Sequence, residues 1–253
     1  MALASLRGMG TTITIQAPAG PAEAYLTGEP GRPGLLFYVD AIGLRPQIEA
    51  MADTFASWGH TVLVPHVFYR DGSAAELAAQ GDLREDGARE AFFAGGVMDR
   101  VGALTPDLSG PDAEAWVATL LEHAADGPVG VIGYCMGVRL AIRTAGQLPD
   151  RVAAVGGFHG GGLVTEEADS PHLAIAASQA AYAFLHADHD GSMPPEAVTT
   201  LAETLMAHDR PAVNLVHRDA PHGYSMADTS MYDAEADEHH RTLLRDLLAQ
   251  RLG

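Results

Sequence analysis

The chain has no lysine. Its fifteen basic residues are all arginine, and they face thirty-three acidic residues in a chain of 253. The formal net charge is −18. Nucleic acid and anionic membrane are bound through clustered cations, so neither is an expected partner. The same field works against an anionic small molecule, unless the pocket that receives it is locally positive. Cysteine is almost absent as well. A single residue, Cys135, rules out an intrachain disulfide and fits a reducing cytoplasm, the expected location. No apolar run approaches the roughly eighteen to twenty residues of a membrane-spanning helix. Residues 1–10 show no apolar core behind a basic start, so no signal peptide is expected. Linkers, low-complexity stretches and internal repeats are also lacking. With 47% apolar residues the chain can fill one core, and a single domain over residues 1–253 is expected.

What is present is an alternation of short apolar runs and helical patterns. Thr11–Gln16 alternates and is β-branched, and Ala22–Thr27 returns antiparallel to it. Leu35–Val39 and Thr61–Val64 are continuous apolar runs, as in strands covered on both faces. Between them Ile48, Met51, Phe55 and Trp58 mark one face of a helix over Arg45–Trp58, with Gly59 to stop it. Ser73–Leu104 reads as mostly helical, with breaks at Gly81, Gly87 and Gly95-Gly96. Thr105–Pro111 reads as a loop and Asp112–Ala125 as a helix. Further strands are expected at Ala153–Phe158, Ala181–His186 and Ala212–Val216, with helices at Pro194–His208 and Tyr232–Leu252. This order predicts an α/β fold with a mostly parallel central sheet and helices on both faces. Chemistry in such sheets gathers at the carboxyl ends of strands. Asp40, Cys135, His159, Asp190 and His222 all follow directly on an expected strand.

The central stretch runs from Val129 to Ala141. An apolar strand enters Gly133-Tyr134-Cys135-Met136-Gly137, and a helix leaves it. G-x-nucleophile-x-G between strand and helix is the nucleophile elbow, here with Cys where Ser is usual. The turn is tight, so its flanking positions must be almost free of side chain. The helix that follows aims its first N–H groups at the thiol and favours its anion. A lone cysteine can equally be a buried small hydrophobe; the partners decide. A thiol nucleophile needs a base, and the base needs a carboxylate to hold its tautomer. His222 lies in a turn after the last strand and before the last helix. Asp190 lies after the preceding strand, with Asp188 as a near rival. Both acids also suit turn and capping roles. The cluster His186, Asp188, His189 and Asp190 suggests a metal only weakly, since neighbours on one loop seldom converge on one ion. No metal site is expected.

Taken together these segments resemble the dienelactone hydrolase family, the carboxymethylenebutenolidase-like branch of the α/β-hydrolases. The resemblance runs from about Thr11 to Leu248 and rests on Gly133–Gly137, Asp190–Pro194, His222-Gly223-Tyr224 and Asp40–Gly43. It implies Cys135 as nucleophile, His222 as base and Asp190 as its orienter. It implies an oxyanion hole from the backbone N–H groups of Met136 and Ala41, and neither cofactor nor metal. Where the family has a Glu that interacts with the resting thiol, this chain has the shorter Asp40. Where carboxylate-binding members have an Arg four residues after the His, it has Met226. Arg89 matches the family's other substrate Arg. The loss of one cation favours a less anionic substrate. The activity implied is hydrolysis of small lactones or esters; alternatives are another carbonyl bond, such as a thioester or a C–C bond beside a ketone, or a non-catalytic thiol sensor on the same fold.

Overall fold

The computed structural model describes residues 9–253. One eight-stranded sheet takes strands from most of that length. In chain order they are β1 (Thr11–Ala17), β2 (Gly20–Thr27), β3 (Gly34–Tyr38), β4 (Thr61–Pro65), β5 (Val129–Tyr134), β6 (Val152–Phe158), β7 (Ala181–His186) and β8 (Ala212–Val216). Their order across the sheet is β1-β2-β4-β3-β5-β6-β7-β8. β1, β2 and β4 pair antiparallel, and every pair from β4 to β8 is parallel. One register row runs Leu36, Val131, Val155, Tyr182, Ala212. β3, β4, β5 and β7 are buried at every residue, which is what unbroken apolar runs are for.

The helices are α1 (Pro46–Ser57), α2 (Ala74–Leu77), α3 (Ala88–Ala94), α4 (Val97–Ala103), α5 (Pro106–His123), α6 (Gly137–Gln147), α7 (Pro195–Ala207) and α8 (Ala234–Leu252), with a 3-10 turn at Pro171–Ala176. α1 buries Ile48, Met51, Ala52 and Phe55, the face that its spacing shows. Among the described residues no helix is long and apolar enough to cross a membrane.

Two expectations need correction. Thr105–Pro111 is not a loop: α5 starts at Pro106 and carries Pro111 inside it. Pro106 suits the first helical position, where the missing N–H has no partner anyway. Pro111 costs one bond early in a helix that then buries Trp116, Val117 and Leu120. Within Ser73–Leu104 the helices restart at the expected breaks, after Gly87 and Gly96, but residues 78–87 are not helical and only α2, α3 and α4 remain. Gly81, Gly87 and Gly96 stand at φ of 96°, 75° and 90°, where the chain reverses instead of continuing.

The two edges of the sheet differ. β1 pairs only with β2, and its inner residues Ile15 and Ala17 are buried. At the other edge Val213, Leu215 and Val216 of β8 remain 41%, 42% and 47% exposed.

Candidate active site

β5 ends at Tyr134, and the chain turns at once into α6. Cys135 occupies the turn at φ 53°, a left-handed conformation that a side chain rarely adopts. Such strain persists only where the surroundings enforce it. Here the enforcement is steric. A Cβ on Gly133 would run into the backbone of Gly137. One on Gly137 would come within 2.5 Å of the Val39 carbonyl oxygen and 2.7 Å of that of Tyr38. The two glycines let strand, turn and helix close around a half-buried thiol.

Three strand-end loops meet at this thiol. Nε2 of His222 lies 3.1 Å from Cys135 Sγ. Nδ1 of the same ring lies 2.6 Å from Oδ2 of Asp190. The other carboxylate oxygen accepts from the backbone N–H of Ser192 at 2.9 Å and from its hydroxyl at 2.7 Å. Burial alone would lower the pKa of His222. Its bonds to Asp190 and Cys135, with their charges, outweigh that and carry it to about 10. Burial would raise Asp190, but His222 and Ser192 hold it below the usual carboxylate range. Both bonds favour the protonated ring, which lies between the thiol and the carboxylate.

The rival Asp188 is turned elsewhere. It accepts from the backbone N–H groups of His189 and Asp219. His186 places Nε2 2.8 Å from Asn214. The cluster thus disperses, and among the described residues no three His, Cys, Asp or Glu side chains are grouped to hold an ion.

His159 closes the site from below. It is buried, at φ 39°, and its ring packs edge-on against His222 at 5.3 Å and Tyr224 at 4.9 Å. Its Nε2 is 2.8 Å from the Ser225 hydroxyl. Burial, then the charge of His222, hold its pKa well below the ordinary histidine value, so it is a neutral support. Its place after β6 is visible in the sequence; its packing is not. Ser192 gave no signal beyond standing two residues after Asp190.

Above the thiol is a cavity of about 480 Å³. Ala41, Phe93, Met98, Val101 and Met136 give it an apolar lining, and Arg89 and Arg139 enter it from α3 and α6. Among the described residues no hydrogen-bond acceptor meets the backbone N–H of Met136 or of Ala41, and both residues line this cavity.

Asp40 and Met226 are both tied to Arg45. The Asp40 carboxylate receives a two-pronged bond from Arg45, at 2.7 and 3.0 Å. It also accepts from the N–H groups of Ile42 and Gly43. No hydrogen bond joins it to Cys135 among the described residues. Arg45 further holds Asp228, at 2.6 and 3.2 Å, and the Met226 sulfur, at 3.3 Å. Met226 is buried and borders a small void of about 20 Å³ that Cys135, His222 and Arg89 also line. A cation therefore does stand next to position 226, but two carboxylates consume it.

A sheet of this order, with a strained elbow after β5 and an acid and a histidine on the loops after β7 and β8, is the α/β-hydrolase fold. The model of the dienelactone hydrolase family matches residues 22–252, and the chain belongs to that family. A carboxymethylenebutenolidase from Rhodococcus opacus is 30% identical over 120 residues, a match that spans 47% of this chain and 41% of that protein. A Klebsiella pneumoniae structure assigned as a dienelactone hydrolase superposes with a TM-score of 0.80 at 18% identity, covering 95% of this chain and 98% of that one. The dienelactone hydrolase of Anabaena variabilis superposes at 0.64 and 14% identity, over 98% and 100%. At these identities the structural likeness carries the fold.

Proposed function

We propose that the protein hydrolyses small carboxylic esters or lactones through an acyl-thioenzyme, with Cys135 as nucleophile, His222 as proton carrier and Asp190 as its orienter. One observation carries this reading: a single imidazole bridges the only thiol and a buried carboxylate, at 3.1 and 2.6 Å, on the floor of an apolar cavity. His222 Nε2, 3.1 Å from Sγ, is placed to take up the thiol proton. Sγ then attacks the carbonyl carbon. The negative charge that forms on the carbonyl oxygen is received by the N–H groups of Met136 and Ala41, which no acceptor among the described residues occupies. The tetrahedral adduct collapses, the C–O bond breaks, and the alkoxide takes the proton from His222 Nε2. His222, now neutral, removes a proton from water as that water attacks the thioester. Collapse of the second adduct breaks the C–S bond, releases the acid and returns Cys135 and His222 to their starting state.

Asp40 has a positioning part in this reading. Its bonds to the N–H groups of Ile42 and Gly43 fix the turn that presents Ala41, and Arg45 fixes Asp40 in turn. Arg89 borders the cavity and can touch substrate, whereas Met226 borders the small void. The test is turnover of an aryl acetate and of a neutral lactone by the protein and by Cys135→Ala. The variant should lose activity by at least about a thousand-fold while keeping its Tm. Undiminished hydrolysis by the variant overturns the reading. Rapid alkylation of Cys135 without any turnover would instead favour a thiol sensor.

A further inference from the structure

The walls of the cavity carry charge that the floor does not neutralise. Arg139 lies on α6, one turn beyond the thiol, and lines the cavity. No hydrogen bond or ion pair joins its guanidinium to another described residue. The next arginine along the same helix face, Arg143, is satisfied: it donates to the Asp169 carbonyl at 2.9 Å and lies 3.6 Å from the Asp169 carboxylate. Gly162, at φ 63°, leaves the space beside Arg139 open; a Cβ there would sit 3.9 Å from the arginine Cδ. Arg89 faces the same cavity and stacks its guanidinium on Phe93 at 4.7 Å, with no carboxylate partner among the described residues. The one carboxylate in the cavity lining, Asp190, is fully engaged by His222 and Ser192. Burial lowers the pKa of Arg139, and the charge of Cys135 is the influence that opposes it. A half-buried guanidinium left unpaired is poorly solvated, and it remains charged at any working pH. A protein of net charge −18 has acids to spare for pairing. At this wall none is supplied.

Resting on the hydrolase reading above, we propose that Arg139 is the specificity-determining residue of the site: it grips a carboxylate on the substrate while Cys135 attacks the ester carbon. A planar carboxylate can accept two parallel N–H bonds from it, and Arg89 adds a second positive charge across the cavity. The expectation drawn from Met226 counted Arg89 and the cation missing from the His222 loop, and left out α6. On this chain the cation that remains available lies on the helix after the nucleophile, and the net negative field of the protein is locally reversed where the substrate enters.

The test is a matched pair of aryl half-esters of a short dicarboxylic acid, one with its far carboxyl free and one with that carboxyl methylated. kcat/KM is measured for both on the protein, on Arg139→Met and on Arg139→Lys. The unaltered protein should prefer the free acid. Arg139→Met should cut the acid-to-methyl-ester ratio by about 10- to 100-fold, and Arg139→Lys should retain a larger share of it. An unchanged ratio overturns the proposal, even if both rates fall together. Normal hydrolysis of the methyl ester without a preference for the acid sinks this inference alone and leaves the hydrolase reading standing. If neither ester is turned over, the hydrolase reading fails, and alkylation of the only thiol decides on Arg139. Sγ displaces iodide from iodoacetate or from iodoacetamide, and the iodoacetate-to-iodoacetamide rate ratio should fall several-fold in Arg139→Met. An equal ratio in both proteins overturns the proposal on that arm.

Discussion

The floor of the cavity comes from the carboxyl ends of β3, β5 and β7 and from the loop after β8. Its outer wall comes from α3 and α4. On the floor every charged side chain has a partner: Asp190 with His222, and Arg45 with both Asp40 and Asp228. On the wall Phe93, Met98 and Val101 offer apolar surface, and Arg89 has only an aromatic ring beneath it. The floor rests on a buried sheet; the wall rests on two helices of seven residues, each entered through a left-handed glycine. Positions that must hold sub-ångström geometry are thus built where the backbone cannot yield. Of the two arginines that line the cavity, Arg89 stands on the short helix α3 and Arg139 on α6, which packs on the sheet.

Substitutions that separate the two regions test this division. The largest effect belongs to the floor. Asp190→Asn keeps the shape but no longer holds the His222 tautomer, and turnover should fall by up to about 10⁴-fold. Asp188→Asn, two residues away and bonded only to backbone, should change kcat by less than about threefold. Equal losses from the two would erase the distinction. A smaller effect compares two arginines. Arg45→Met leaves the nearly buried Asp40 unpaired beside a second acid, and denaturant unfolding should show a loss of about 3 kcal/mol. Arg89→Met on the wall should stay within about 0.5 kcal/mol, because it breaks no ion pair. The smallest effect is a dependence on pH. The pKa of His222 is raised from about 6.5 to about 10 on folding, so the imidazolium binds its proton more tightly in the native state. Its contribution to stability is complete below pH ~6.5 and fades as pH rises through about 10. The Tm difference between the protein and His222→Gln should therefore be widest near pH 6 and shrink towards pH 10. A constant difference would mean that the ring is held by packing alone.

The floor was legible in the sequence and the wall was not. Gly133-Tyr134-Cys135-Met136-Gly137 specifies its own turn, because only glycines fit at its two ends. Unbroken runs such as Leu35–Val39 and Ala181–His186 specify covered strands, and strand ends specify where loops converge. Ser73–Leu104 carries no comparable constraint. Its alanines favour a helix, its glycines favour reversal, and tertiary packing decided for three short pieces. Thr105–Pro111 misled for a related reason: Pro111 reads as a break, but the burial of Trp116 and Leu120 outweighs one lost hydrogen bond. The partner of Asp40 was hidden by kind of contact. Arg45 stands only five residues later, yet nothing in the order of residues shows that its fork turns back onto Asp40 and also reaches Asp228. Arg139 had a position but no meaning, since a cation on a helix normally finds an acid and only the fold shows that this one has none among the described residues.

The far edge of the sheet has a colloidal consequence. β8 ends the sheet with one row of backbone donors and acceptors unpaired, and its Val213, Leu215 and Val216 are each more than two-fifths exposed. An open strand of that kind is a template on which another chain can lay its own edge. Proteins often blunt such an edge with lysines, and this chain has none to place there. At neutral pH, long-range repulsion between molecules of charge −18 opposes such pairing. That repulsion disappears as the carboxylates take up protons, and added salt shortens its reach to about 3 Å at 1 M. The same −18 that the cavity wall reverses locally is, at this edge, a barrier against precipitation.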